Sequence, residues 1–193
     1  MDFNKYSEIS LKRESLRQSE IAQRMSDLEN QRVLHALIGI TTEAVEITEA
    51  YTGKSYSEVD VINLIEEIGD IAFYANILLD VYNISWEDVA KKESLKFFSQ
   101  RDTADQILIE AGNALDIFKK ALFYGKEIEK ELVSKRVEAV ISNCTHLLQL
   151  LGFTWEETLD KNDRKLDKRY GEKFDSKKAV NRDLETERKE LED

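Results

Sequence analysis

Long segments with helical hydrophobic spacing dominate the chain. Apolar side chains recur every three or four residues over about residues 29–51 and 57–83, which predicts two amphipathic helices. The second segment is apolar over more than half of its circumference, so we expect that helix to be largely buried. A weaker pattern predicts a first helix over about residues 3–27, and Ser85 is a good N-cap for a short helix that begins at Trp86. The pattern as a whole predicts an all-α protein.

The hydrophobic pattern of the first half recurs in the second half. The pentapeptide ISWED at Ile84 corresponds to FTWEE at Phe153, and both follow a long apolar helix and a short break. We therefore predict a helical bundle built from two tandem, diverged repeats that form one compact unit. The first repeat spans residues 1–100. The second spans residues 101–193 and includes a charged helical tail after Asp160.

Two carboxylate pairs lie inside the two strongest helical segments, Glu43-x-x-Glu46 and Glu67-x-x-Asp70. Residues three apart share one face of a helix, so each pair projects two oxygen donors in one direction. If the two helices pack antiparallel, the four acids converge, and they repel one another unless a cation neutralises them. Mg²⁺ prefers oxygen donors of this kind, so the two pairs predict a divalent metal site.

The second repeat keeps the apolar pattern and loses most of the acids. Glu110-x-x-Asn113 replaces the first acidic pair, and Arg136 and Ala139 replace the second pair at an offset of 69 residues, from position 67 to position 136. We therefore expect the second repeat to act as a scaffold and not to bind the same metal.

Charge and composition exclude several classes of protein. A net charge of −11 disfavours binding to nucleic acid polymers and anionic membranes, because phosphate groups would be repelled over most of the surface. The single cysteine, Cys144, is expected to be a core thiol, and two histidines offer too few soft ligands for zinc. No signal peptide or membrane-spanning run is evident, so we expect a cytoplasmic protein.

Two segments carry a family resemblance: HALIGITTEAVEITEAY at residues 35–51 and NLIEEIGDIAFYANIL at residues 63–78. Together they resemble the MazG-like all-α nucleoside triphosphate pyrophosphohydrolases, which include dimeric dUTPases and dCTP pyrophosphatases. The tail that begins at Arg169 is similar to the end of bacteriophage and bacterial members. The resemblance implies a bundle of this type that forms a homodimer. It also implies a location in the host cytoplasm if the protein is phage-encoded.

The activity that the resemblance implies is cleavage of a (deoxy)nucleoside triphosphate between the α and β phosphates, which gives a monophosphate and pyrophosphate. By matching positions, Glu43, Glu46, Glu67 and Asp70 would be the catalytic metal ligands. Mg²⁺ would be the cofactor, with Mn²⁺ as a substitute, and it would lower the pKa of an attacking water. Either Glu46 or Glu43 would orient that water.

The same resemblance indicates substrate-binding residues. His35 and Tyr74 correspond to positions near the nucleotide in relatives, and four basic residues lie in family-like motifs: Lys54, Lys126, Arg169 and Lys173. Each has a simpler interpretation, as a buried histidine, a core aromatic residue or a solvated surface charge. The base that is preferred depends on pocket shape, and the acidic signature does not predict it.

Two other functions are consistent with parts of the pattern. In a non-catalytic helical protein that binds nucleotides or partners, the acids would form a solvated stripe, although they lie among apolar residues that should face a core. A carboxylate-bridged di-iron bundle needs Glu-x-x-His ligands. Arg32 and Asn143 stand three residues before the two histidines, so the sequence lacks that motif.

Overall fold

The computed structural model describes residues 2–15, 18–90 and 99–192. The regular elements in these ranges are helical, which confirms the predicted all-α class. A 3₁₀ turn at Tyr56–Glu58 precedes the fourth helix. In chain order the α-helices are α1 (Phe3–Lys12), α2 (Ser19–Ser26), α3 (Leu28–Tyr51), α4 (Val61–Tyr82), α5 (Trp86–Ala90), α6 (Gln100–Tyr124), α7 (Lys130–Leu151), α8 (Trp155–Tyr170), α9 (Ser176–Val180) and α10 (Leu184–Glu192).

Two helical hairpins, α3–α4 and α6–α7, form the central bundle. An ion pair of 2.6 Å between Arg32 near the start of α3 and Asp80 near the end of α4 shows that the first hairpin is antiparallel. Helix α6 packs on α3, and α7 packs on α4. The shared core is mostly aliphatic and lies on the faces that the hydrophobic spacing predicts. It includes Leu37, Ile40, Ile68, Leu78, Phe118, Val137, Ile141 and Leu147.

Both hairpins end in the same way. Helix α4 stops at Asn83 with φ 55°, and α7 stops at Gly152 with φ 83°, so each final residue adopts the left-handed conformation. The following residue then donates its N–H to a carbonyl in the last turn, as Phe153 does to Leu148 O at 2.9 Å. The chain therefore turns at equivalent places and enters a helix at a tryptophan each time.

The helices that follow the hairpins cross over to the opposite hairpin. Helix α8 packs on α4, and α5 packs on α7. Trp86 and Trp155, the tryptophans at the starts of α5 and α8, meet edge to face with ring centroids 5.8 Å apart. The matched Trp-Glu segments of the sequence are thus in direct contact.

The prediction of a single helix over residues 3–27 is wrong. Helix α1 ends at Lys12 and α2 begins at Ser19, and residues 16–17 lie outside the described part. Helix α2 buries Ile21, and Arg24 Nε donates to Leu122 O at 2.6 Å, whereas α1 has no buried residue. The break allows α2 to pack on α3 and α6 while α1 remains exposed.

Ionic contacts hold the C-terminal tail on α8 and α4. Glu187 accepts hydrogen bonds from Arg169 Nε at 2.9 Å and from Arg182 Nη2 at 2.7 Å, and Arg188 forms two bonds of 2.9 and 3.0 Å with Asp60 at the start of α4. Leu191 is the buried apolar residue of α10. The contacts of the tail with α8 and α4 are thus mostly between charged side chains. Within the described ranges, no helix combines the length and apolar character needed to cross a bilayer.

Candidate metal centre

Three of the four predicted acids converge between α3 and α4. One carboxylate oxygen from each of Glu43, Glu46 and Glu67 lies within 4.8 Å of the other two. Glu67 is only 5% exposed and Glu43 is half-buried, whereas Glu46 is exposed. The antiparallel hairpin produces this arrangement, because it places the midpoints of the two helices side by side. In the described part of the chain, these three acids form the single group of three or more potential ligands.

The geometry is electrostatically unfavourable for three ionised carboxylates. Burial raises the pKa of Glu43, and the nearby carboxylates of Asp70 and Glu46 raise it further, although a hydrogen bond with Glu67 opposes the shift. Burial also raises the pKa of Glu67, again with a contribution from surrounding acids. The buried pair therefore favours a shared proton or a bound cation over two free charges.

Asp70, the fourth predicted acid, is not a member of this group of three. Its two carboxylate oxygens each lie 2.7 Å from Lys165 Nζ on α8, and its Oδ1 accepts a hydrogen bond from Asn162 Nδ2 at 2.6 Å. Lys165 Nζ also lies 3.3 Å from Glu66 Oε1. The role of Asp70 as a direct metal ligand stays a prediction, and the contacts of its carboxylate in this structure are with α8.

The sequence reasoning missed Asn162 and Lys165. With Arg169 they occupy positions i, i+3 and i+7 of α8, which is one helix face, and that spacing was a usable signal. A lysine within a charged run is usually solvated, however, and the sequence contains no indication that α8 returns to α4 from 95 residues away. Gly69 permits the contact, because a Cβ there would lie 2.9 Å from the Asn162 side chain.

Tyr74 and His35 lie together beside the acids. Their rings meet edge to face with centroids 5.4 Å apart, and Tyr74 lies flat over Gly39, where a Cβ would come within 2.4 Å of the ring. Burial and the Glu43 carboxylate raise the pKa of Tyr74. His35 is exposed, so the alternative of a buried histidine is wrong. The pair borders the candidate metal centre on the side toward the start of α3.

An open groove of about 600 Å³ borders the centre on the other side, between the end of α3 and the start of α4. Glu46 and Lys54 both line it, so the structure brings this predicted lysine close to a predicted metal ligand. The other lining residues include Glu49, Asp60 and Asn63. The charged lining residues are thus three acids and one lysine, and one of the acids, Asp60, is paired with Arg188.

The other predicted basic residues have different positions. Arg169 lies near enough to Tyr74 to affect its pKa, but its guanidinium is bound to Glu187. Lys173 is exposed in the segment after α8. Lys126 follows Gly125, where a Cβ would lie 3.4 Å from Arg24 Nη1 of α2, so Lys126 is near the start of α3 and the structure does not bring it to the acids.

The equivalent position of the second hairpin contains an ion pair. Glu110 Oε2 accepts a hydrogen bond from Arg136 Nη1 at 2.9 Å, and the Glu110 side chain is mostly buried. These two residues correspond to Glu43 and Glu67 in the sequence comparison of the repeats. An arginine of the chain therefore neutralises Glu110, the acid that remains at the aligned positions of the second hairpin.

Comparison of the chain with models of known protein families, with curated proteins and with solved structures gives no match. The arguments for function therefore depend on the residues and on their geometry.

Proposed function

We propose that the chain is a Mg²⁺-dependent hydrolase that converts (deoxy)nucleoside triphosphates to monophosphates and pyrophosphate. The observation that carries this proposal is the convergence of Glu43, Glu46 and Glu67 from two neighbouring helices. In the described part of the chain, none of the three forms a salt bridge with a basic residue, so a cation from solution is the natural partner. The donor set consists of carboxylate oxygens, which fits Mg²⁺ or Mn²⁺.

Each acid has a distinct place in the proposed reaction. When bound, Mg²⁺ would neutralise phosphate charge and make a water more acidic. Glu43 and Glu67, the more buried acids, would hold the ion together with Glu46. Glu46 is also exposed and lines the groove, so its carboxylate would in addition orient an incoming water.

The groove beside Glu46 is the proposed entry for the triphosphate. Its volume of about 600 Å³ falls in the range of small-molecule sites. Its acidic lining would repel a free triphosphate, so we expect the substrate to bind together with the divalent ion, while Lys54 offsets part of the phosphate charge. Tyr74 and His35 would contact the nucleotide from the opposite side of the centre.

The MazG-like resemblance supports the same reaction, because the order of Glu-x-x-Glu and Glu-x-x-Asp is the signature of that family. We further propose that the chain is a duplicated unit in which the α3–α4 hairpin is catalytic and the α6–α7 hairpin is a scaffold. The matching turns at Asn83 and Gly152 and the contact of Trp86 with Trp155 support the duplication. Homodimerisation and a cytoplasmic location stay predictions.

A substrate panel tests this proposal. The protein would be incubated with each common NTP and dNTP and Mg²⁺, and the products would be separated by ion-exchange chromatography. We expect monophosphate and pyrophosphate in equal amounts and no turnover with chelator. Diphosphate and inorganic phosphate as the main products would contradict the proposed reaction, and binding of nucleotide without any turnover would favour a non-catalytic nucleotide-binding protein.

A further inference from the structure

Lys165 is the charged residue with the lowest exposed fraction in the described part of the protein. It lies in the middle of α8, and its side chain has no exposed surface. A lysine is rarely fully buried unless its ammonium group is paired, because removal of the charge from water is energetically costly. Its Nζ is 2.7 Å from both oxygens of Asp70 and 3.3 Å from Glu66 Oε1. The ammonium group is thus fixed between two acids of α4.

Other contacts fix these two acids in place. Asn162 donates to Asp70 Oδ1 at 2.6 Å from the adjacent turn of α8. Arg182, from the C-terminal tail, lies 3.5 Å from the same Glu66 oxygen that contacts Lys165. Asp70 and Glu66 therefore each have a basic partner supplied by a distant part of the chain.

The local charges divide into two groups. Five acids lie in this region of the hairpin, namely Glu43, Glu46, Glu66, Glu67 and Asp70. Lys165 and Arg182 neutralise Glu66 and Asp70, whereas the remaining three acids lie within 4.8 Å of one another and form no salt bridge with a described basic residue. One divalent ion would neutralise most of the charge of these three. A second ion would have to bind at Asp70 and Glu66.

We propose that the centre binds one divalent cation, at Glu43, Glu46 and Glu67, and that Lys165 occupies the position that a second metal ion would need. Lys165 is then a positioning residue, because it holds the Asp70 carboxylate of α4 against α8. The other three acids remain available to the metal. This inference rests on the metal centre of the proposed function, and it adds the number of ions and the role of a residue from α8.

The physical reason is competition for the same oxygens. A metal ion at Asp70 would have to displace an ammonium group that contacts both carboxylate oxygens. The displaced ammonium would remain buried without its partner, because Lys165 has no exposed surface through which to reach water. A second ion is therefore disfavoured in the wild-type chain and becomes favourable once the lysine charge is removed.

Mn²⁺ titration of the full chain tests this inference without any measurement of turnover. The loss of the free Mn²⁺ signal in electron paramagnetic resonance gives the number of bound ions. We expect one Mn²⁺ per wild-type chain and two per Lys165→Gln chain, because Asp70 and Glu66 lose their ammonium partner. Lys168→Gln is the matched control, since Lys168 lies on the same helix with half of its side chain exposed and contacts Glu190 at 3.6 Å. It should bind one ion.

Asp70→Asn provides a second test in case Lys165→Gln does not fold, which circular dichroism would reveal. Asp70→Asn keeps the lysine and should still bind one Mn²⁺, with a dissociation constant within about tenfold of wild type, whereas Glu67→Gln should bind Mn²⁺ far more weakly. Loss of binding in Asp70→Asn would overturn the inference, because Asp70 would then be a direct ligand.

The remaining outcomes separate this inference from the proposed function. Two Mn²⁺ ions of similar affinity in the wild-type chain, or one ion with unchanged affinity in a folded Lys165→Gln chain, would overturn the role of Lys165. Absence of Mn²⁺ binding in the wild-type chain would overturn both proposals. One bound ion without turnover of any nucleotide would overturn the proposed reaction and support the present inference.

Discussion

The two helical hairpins place charge at equivalent positions and neutralise it in different ways. In the α6–α7 hairpin, Arg136 lies 2.9 Å from Glu110, so the ion pair is complete within the hairpin. In the α3–α4 hairpin, the corresponding residues are Glu43 and Glu67, two acids whose pKa values are raised by burial and by their neighbours. Glu43 and Glu67 thus form no salt bridge with a described basic residue, whereas Glu110 does. Under the proposed function, the same backbone arrangement serves as a metal centre in one hairpin and as a scaffold in the other.

The largest expected effect is a difference in hydrolysis rate between an acid variant of the α3–α4 hairpin and one of the α6–α7 hairpin. Glu67→Gln should reduce the rate of triphosphate hydrolysis by about 100-fold or more, since changes to residues that merely support metal ligands already cost about 10- to 100-fold. Glu110→Gln should leave the rate near the wild-type value, because Glu110 is bound to Arg136. Steady-state kinetics with the best substrate of the panel measures both. Similar losses in the two variants would mean that both hairpins take part in catalysis.

Stabilisation by Mg²⁺ should depend on the acids of the α3–α4 hairpin and not on Glu110 of the α6–α7 hairpin. At a Mg²⁺ concentration of about 100 times its dissociation constant, binding adds about 2.7 kcal/mol to the free energy of unfolding. For a chain of this size that gain corresponds to a rise in Tm of roughly 5 to 10 °C. Glu43→Gln should remove most of the rise and Glu110→Gln should preserve it. Thermal scans with Mg²⁺ and with chelator measure the difference, and equal rises in all three proteins would place the ion elsewhere.

The effect of Mg²⁺ should depend on pH. Because the pKa values of Glu43 and Glu67 lie above the ordinary value of 4.5, the folded chain binds more protons than the unfolded chain above that pH. Their contribution to stability is complete below pH 4.5 and is lost as the pH rises through the raised pKa values. Mg²⁺ competes with these protons, so each proton released strengthens binding by about 1.4 kcal/mol per pH unit.

Thermal scans between about pH 5.5 and pH 8.5 measure this dependence. The rise in Tm caused by Mg²⁺ should grow with pH in the wild-type chain. The double variant Glu43→Gln, Glu67→Gln lacks both titrating groups, and its Tm should respond little to Mg²⁺ at any pH in the range. If the rise in Tm caused by Mg²⁺ is the same at every pH in the wild-type chain, Mg²⁺ binding does not release protons from Glu43 and Glu67.

The smallest expected effect concerns the glycines of the two hairpins. Gly39→Ala would place a Cβ 2.4 Å from the Tyr74 ring and should lower the free energy of unfolding by about 1–3 kcal/mol. Gly112→Ala in α6 meets no atom within 4 Å and should raise stability by up to about 1 kcal/mol, since alanine is the better helix former. Urea unfolding compares the two. If both substitutions stabilise the chain equally, the Tyr74 ring moves away from residue 39 without an energetic cost.

Much of the first hairpin could be predicted from sequence. The bounds of α3 and α4 lie within a few residues of the expected 29–51 and 57–83, because both helices bury apolar faces whose spacing is local information. The convergence of Glu43, Glu46 and Glu67 followed from the same spacing together with antiparallel packing. The first helix was predicted less well, since its pattern was weak and the chain breaks between α1 and α2.

The sequence by itself determined which faces of α3 and α4 are apolar and which carry acids, because helical periodicity relates residues only three or four positions apart. The tertiary structure alone decided which acids form ion pairs with basic residues of the chain and which do not. Lys165 contacts Asp70, which lies 95 residues away in the sequence, and Arg169 contacts Glu187. Such pairs depend on how α8 and α10 pack on α4, and that packing is set by the whole folded chain and not by any local spacing of residues.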